Sequence, residues 1–162
     1  MSKLKEDKAT TNALARFYLG SRWNPRYLGI DLKMLLYLIG AVTLQLVILS
    51  GLQVYLSSNN HIISNAMLVY VGCFTWFLTE YMFFENVHLY TYDLFAEKLG
   101  FKLTWGCLVF YPFVYPIGIH SIIASVAPEH RGANGSDIST VCAVGIAVLF
   151  LAGWIITRGA NM

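Results

Sequence analysis

The sequence predicts an all-α fold, a polytopic membrane helix bundle of about four transmembrane helices with the third kinked by proline. Hydrophobic residues make up 57% of the 162 positions and charged residues 12%. Mean hydropathy is +0.58, too apolar and too poor in charge for an ordinary soluble domain. Four apolar stretches are long enough to cross a hydrocarbon core of ~30 Å, which takes roughly 20 helical residues. They run from Met34 to Leu56, Asn65 to Phe84, Leu103 to Val126 and Ile138 to Thr157. Residues 1–33 form an N-terminal segment, and 34–162 the transmembrane helical domain.

Cations fall almost entirely on one side of these spans. Lys3, Lys5, Lys8, Arg16, Arg22, Arg26 and Lys33 precede the first, Lys98 and Lys102 separate the second and third, and Arg158 follows the fourth. Only Arg131 lies opposite. The positive-inside rule then places both termini and the 85–102 connection in the cytoplasm, with the chain in the endoplasmic reticulum of a eukaryote or the inner membrane of a bacterium. The polar opening residues carry no signal-peptide pattern. A net charge of +2 is too small to imply nucleic acid, and membrane topology or anionic lipid accounts for the basic N-terminus. Cys73, Cys107 and Cys142 all fall inside spans, are odd in number and show no metal-ligand spacing, so buried free thiols are expected. Asn134-Gly135-Ser136 is a glycosylation sequon on the far side.

Within the N-terminal segment, a charged tail leads into Ala9 to Tyr18, predicted as a short helix on the membrane with Leu14, Phe17 and Tyr18 toward lipid. Pro25 then bars a continuous helix, and Gly20 and Gly29 bracket a tight turn. Two readings stand. The stretch is a juxtamembrane linker carrying topogenic charges, or a folded cap in which Arg26, Asp31 and Lys33 pair with other cytoplasmic loops.

Glu80 sits about a turn inside the end of the second span, where an ionised carboxylate needs protein, water or a cation. It either snorkels toward the headgroups or lines a polar cleft with Glu85 at the rim. His88 and Asp93 follow, but carboxylates and one histidine at 80, 85, 88 and 93 match no metal motif, and no metal site is expected. In the third span, Pro112 removes a hydrogen bond to the Leu108 carbonyl and Pro116 one to that of Pro112, which bends the helix and leaves polar backbone near mid-membrane. Helical spacing puts Trp105, Leu108, Pro112 and Tyr115 on one face, with Tyr115 about 18 Å from the cytoplasmic end at 1.5 Å per residue. A phenol at that depth is either satisfied inside the bundle or serves as proton donor or polar anchor for a flat apolar ligand walled by aromatic rings.

Several motifs then stand in order: Asn24-Pro25-Arg26 with Asp31 and Lys33, Glu80 with Glu85, Tyr92-Asp93, Leu99-Gly100-Phe101, Trp105-Gly106, Pro112-Phe113-Val114-Tyr115, and Arg158-Gly159-Ala160-Asn161. Together they resemble the membrane sterol reductases, the family of the sterol delta-14 and delta-7 reductases, the side-chain reductases of ergosterol synthesis and the lamin B receptor. Cys107 stands where the family commonly has an acidic residue, and Trp23 where a smaller one is usual. These departures look closer to the side-chain than to the ring reductases.

The resemblance implies reduction of a sterol carbon-carbon double bond with NADPH: an acid protonates the alkene, and the carbocation takes hydride in a dry pocket. It makes Tyr115 the candidate proton donor or sterol anchor. Trp105, Leu108, Tyr111 and Pro112 become pocket wall, and Glu80 and Asp93 the polar end. It also implies that basic residues and further helices beyond the Arg-Gly-Ala-Asn motif build the NADPH pocket, with Arg158 and Asn161 at its edge. The chain is therefore expected to lack most of the cofactor site. It is then a shortened form, one half of a split reductase completed by a second polypeptide, or a non-catalytic sterol-binding or partner-binding membrane protein.

Overall fold

Asp31 starts the first membrane helix: its carboxylate accepts hydrogen bonds from the backbone N–H of Lys33 at 2.9 Å and of Met34 at 3.4 Å, satisfying donors that have no intrahelical partner. The computed structural model describes residues 12–84, 96–125 and 137–160. In chain order these form α1 (Ala13–Leu19), β1 (Arg26–Tyr27), β2 (Ile30–Asp31), α2 (Leu32–Ser58), α3 (Asn65–Phe83), α4 (Phe101–Ser125) and α5 (Thr140–Ala160). Helices α2 to α5 are four helices long and apolar enough to cross a membrane. The sequon Asn134-Gly135-Ser136 and residues Glu85, His88, Asp93 and Asn161 lie outside the described residues.

The core forms where α2 meets α3 and α4. Ala41, Leu44, Ile48 and Tyr55 of α2 are buried against Met67 and Leu78 of α3 and Ile119 of α4. Gln45 donates to the Thr75 hydroxyl at 3.2 Å, a polar tie between two helices inside an apolar layer. The backbones of α2 and α4 come close at Gly40, where an added Cβ would lie 2.4 Å from the Cys107 carbonyl oxygen. No larger residue fits there without moving α4.

Helix α4 is continuous but changes its hydrogen-bonding register three times. It is α-helical over Phe101–Trp105, π-helical over Gly106–Val114, 3₁₀ over Tyr115–Ile117 and α-helical again over Gly118–Ser125. A proline ring clashes with the carbonyl four residues earlier in an α-helix. Widening the turn to an i→i+5 pattern relieves that clash at Pro112, and the tighter 3₁₀ turn accommodates Pro116.

Helix α5 packs against α3 along one stripe, with Ala143, Ala147, Phe150, Trp154 and Arg158 buried or half-buried and most of the helix exposed. Trp154 meets Trp76 edge to face, ring centroids 5.5 Å apart. At the far end, the Asp137 carboxylate accepts from the N–H of Asn65 at 2.6 Å and of Ala66 at 3.1 Å, so the start of α5 caps the start of α3. None of the three cysteines is in a disulfide, and only Cys107 is buried; Cys73 is half-buried and Cys142 exposed. Cys142 faces outward because α5 buries only its α3-facing stripe, which corrects the expectation of three buried thiols.

Segment 12–31 is a folded cap. Asn12 caps α1 through a 3.1 Å bond to the N–H of Leu14, and Phe17 stacks on Phe101, 5.3 Å between centroids. Gly20, at φ +88, crosses the chain at Gly100 so closely that a Cβ would meet the Leu99 carbonyl at 2.2 Å. Only glycine combines that φ with that contact.

Candidate functional site

The π-helical turn decides which side chains of α4 share a face. With hydrogen bonds from i to i+5, aromatic residues five apart line up, and Trp105, Phe110 and Tyr115 do so on the outer side. Their ring centroids are 5.7 Å apart at both the Trp105–Phe110 and Phe110–Tyr115 steps. Leu108 shares the exposure. Tyr111 extends the cluster inward, edge to face with Tyr115 at 5.2 Å. On the bundle side, the same spacing buries Cys107 and Pro112 together with Pro116.

This corrects the expected face of Trp105, Leu108, Pro112 and Tyr115. Pro112 is buried toward the bundle, whereas Tyr115 is 48% exposed among outward-facing rings. An α-helical wheel fails where the helix is not α. Phe110, which sequence reasoning passed over, is the middle of the wall. The signal for it was present: aromatic residues at 105, 110 and 115, every fifth position.

Tyr111 occupies the seam between wall and core. Its ring edge lies 3.1 Å from where a Cβ on Gly40 would stand, and its hydroxyl is buried with no hydrogen-bond partner among the described residues. A buried phenol normally finds a partner. This one is a donor poised next to the exposed Tyr115.

A second group lies at the charged end, where α2 and α4 begin and α3 and α5 finish. Glu80 of α3 forms an ion pair with Arg158 of α5, and the guanidinium lies over the Phe84 ring at 4.1 Å. Glu80 thus has its cation in Arg158, and the pair joins the ends of two spans. Lys33 is fully buried and donates from Nζ to the Glu97 carbonyl. Glu97 in turn pairs with Lys102, and Lys98 lies 5.1 Å from the Trp23 ring centre. A cleft of about 220 Å³ opens beside these groups between α2 and α3, lined by Met34, Leu35, Leu38, Ala41 and Met82 with Asp31, Tyr37 and Tyr81. A larger groove of about 440 Å³, between α2 and the far half of α4, carries His120 among apolar and hydroxyl side chains. Of the expected pocket residues, the described ones, Glu80, Trp105, Leu108, Tyr111 and Pro112, line neither, and the wall and the ion pair sit on different helices.

With this geometry in place, a sequence model described as the Ergosterol biosynthesis ERG4/ERG24 family matches residues 1–162. The chain belongs to the ERG4/ERG24 family. It is similar to a Delta(14)-sterol reductase of Methylotuvimicrobium alcaliphilum, 27% identical over 96% of this chain and 34% of that protein. It is likewise 27% identical to the Delta(14)-sterol reductase of Arabidopsis thaliana over 93% of the chain and 38% of the relative. With the Delta(14)-sterol reductase erg24 of Schizosaccharomyces pombe it shares 27% over 98% and 36%. The chain thus spans about a third of the length of these ERG4/ERG24 relatives.

A nicotinamide dinucleotide carries phosphates that cations meet. Arg158, the cation expected at the edge of that site, is engaged by Glu80 and Phe84. Neither cleft has a lysine or arginine in its lining to meet a phosphate.

Proposed function

We propose that these four helices form the sterol-facing part of a membrane reductase that saturates a sterol carbon-carbon double bond, the delta-14 bond, using NADPH. The observation that carries this reading is the aromatic wall of α4. Trp105, Phe110 and Tyr115 present a flat, apolar, half-exposed surface of the kind a rigid polycyclic ligand covers, with the Tyr115 phenol at one end. Tyr115 is the proton donor or sterol anchor, Leu108 and Tyr111 flank it, and buried Pro112 holds the register that makes the wall. Glu80 and Asp93 are the candidates for shaping the polar end. The delta-14 assignment rests on the names of the relatives, in preference to the side-chain reductases toward which Cys107 and Trp23 lean. The charged end faces the cytoplasm, and residues outside the described clefts, on the same or a second polypeptide, supply the NADPH site.

A second reading, sterol binding without reduction, is favoured by the engagement of Arg158 and by two clefts whose linings hold no lysine or arginine. Titration of the purified chain in detergent separates the two. A delta-14-unsaturated sterol is expected to quench tryptophan emission saturably, and Tyr115→Ala or Phe110→Ala to weaken that binding roughly tenfold, as loss of about 1.4 kcal/mol of ring contact would. Absence of saturable sterol binding sinks both readings. With sterol bound, NADPH-dependent loss of the double bond in membranes supports the reductase. No turnover there, with the remaining family segment supplied, leaves the binding protein.

A further inference from the structure

We propose that the cap, residues 12–31, is a docking platform for anionic phospholipid headgroups, with the β1–β2 hairpin tip set into the lipid boundary. The hairpin pairs Arg26 with Asp31 and Tyr27 with Ile30, so Tyr27 and Ile30 stand on one face and Leu28-Gly29 form the turn. Two-residue turns of this kind ask for positive φ and in water take glycine, asparagine or aspartate. Here Leu28 holds φ 50 and is 85% exposed, with Tyr27 and Ile30 exposed beside it. A leucine in that conformation gains nothing from water. An acyl boundary supplies the missing contact.

The hairpin runs directly into α2, so it stands where that span leaves the hydrocarbon. It is also held firmly in place. Leu99 N–H donates to the Arg22 carbonyl at 2.9 Å, and Leu32 N–H to that of Pro25 at 3.1 Å. The charge on this platform has one sign. Arg16, Arg22 and Arg26 are exposed, while Asp31, the only acidic residue in this stretch, is occupied in capping α2. Exposed arginines beside exposed aromatic and aliphatic side chains match a surface of phosphates above acyl chains. A water-facing loop or an acidic protein partner would not call for the leucine tip.

The test uses Leu28→Cys in the purified 162-residue chain, reconstituted into phosphatidylcholine vesicles with or without phosphatidylglycerol, where no other protein can cover the tip. A water-soluble maleimide is equilibrated across the vesicles by freeze–thaw, and the unsubstituted chain reports background from the native cysteines. Phosphatidylglycerol is expected to slow labelling roughly tenfold through the attraction of the three arginines to the anionic surface. High salt, or Arg16→Gln with Arg22→Gln and Arg26→Gln, should restore the rate. Equal rates in the two lipids overturn the proposal, as does slowing that neither salt nor the arginine substitutions relieve. The salt series needs only the Leu28→Cys chain, so the test survives a triple variant that fails to fold.

Discussion

Helices α4 and α5 are both apolar spans of similar length, yet one is woven into the bundle and the other leans on its side. Helix α5, the more regular of the two, touches α3 along a single stripe that ends in Arg158 and leaves most of its surface outward. Helix α4 carries two prolines, changes register three times and packs along α2 into the core. The difference teaches that in lipid apolarity does not choose the centre, since hydrocarbon solvates leucine as well as a neighbouring helix does. Close backbone approach, as at Gly40 against Cys107, chooses it.

The contrast breaks most sharply at Gly40. A leucine there must push the Cys107 carbonyl away, since even a Cβ would approach it to 2.4 Å. Gly40→Leu is expected to lower stability by about 3 kcal/mol in a detergent-denaturation titration, the upper part of the overpacking range. If the variant is as stable as the parent, the seam between α2 and α4 is not the centre of the bundle.

Next comes the ion pair that ties α5 to α3. Glu80→Ala strands Arg158 and should lower stability by about 2 kcal/mol. A double-mutant cycle with Arg158→Ala should return a coupling of about 1–2 kcal/mol, and additive effects would show the pair contributes little. At the other end of α5, Asp137→Ala removes the acceptor of the Asn65 and Ala66 N–H groups while Ser64 still caps α3 through Met67 N–H, and is expected to lower stability by about 1 kcal/mol, read as faster amide exchange at Asn65 and Ala66. Smallest is the outer face. Leu149 is 75% exposed, and Leu149→Ala should change stability by less than about 0.5 kcal/mol. A larger loss would mean that this face is covered by protein.

The four spans were legible because length and apolarity are one-dimensional properties, and the helix limits moved by only a few residues: the first span begins at Leu32 instead of Met34, and the third at Phe101 instead of Leu103. The prolines of the third span were legible as a disturbance, but not as a π turn. The sequence records that Pro112 has no N–H, whereas the neighbouring helix decides how the backbone relieves its ring. For that reason the wall was misread by α-helical spacing, with Pro112 placed on the face of Tyr115 and Phe110 overlooked. Glu80 was recognised as needing a partner, but Arg158, 78 positions further along, could be named only by the fold.

By itself, then, the sequence determined that this chain crosses the membrane four times, that its cations gather at one end, and that its motifs follow the order of the sterol reductases. Periodicity, charge and motif order are properties of the chain alone. The tertiary structure decided the register of α4, the faces of Pro112 and Tyr115, the Glu80–Arg158 pair and the exposure of Cys142. Each of these depends on which helices come into contact, and in lipid that choice is made by backbone fit and polar partnering between distant positions.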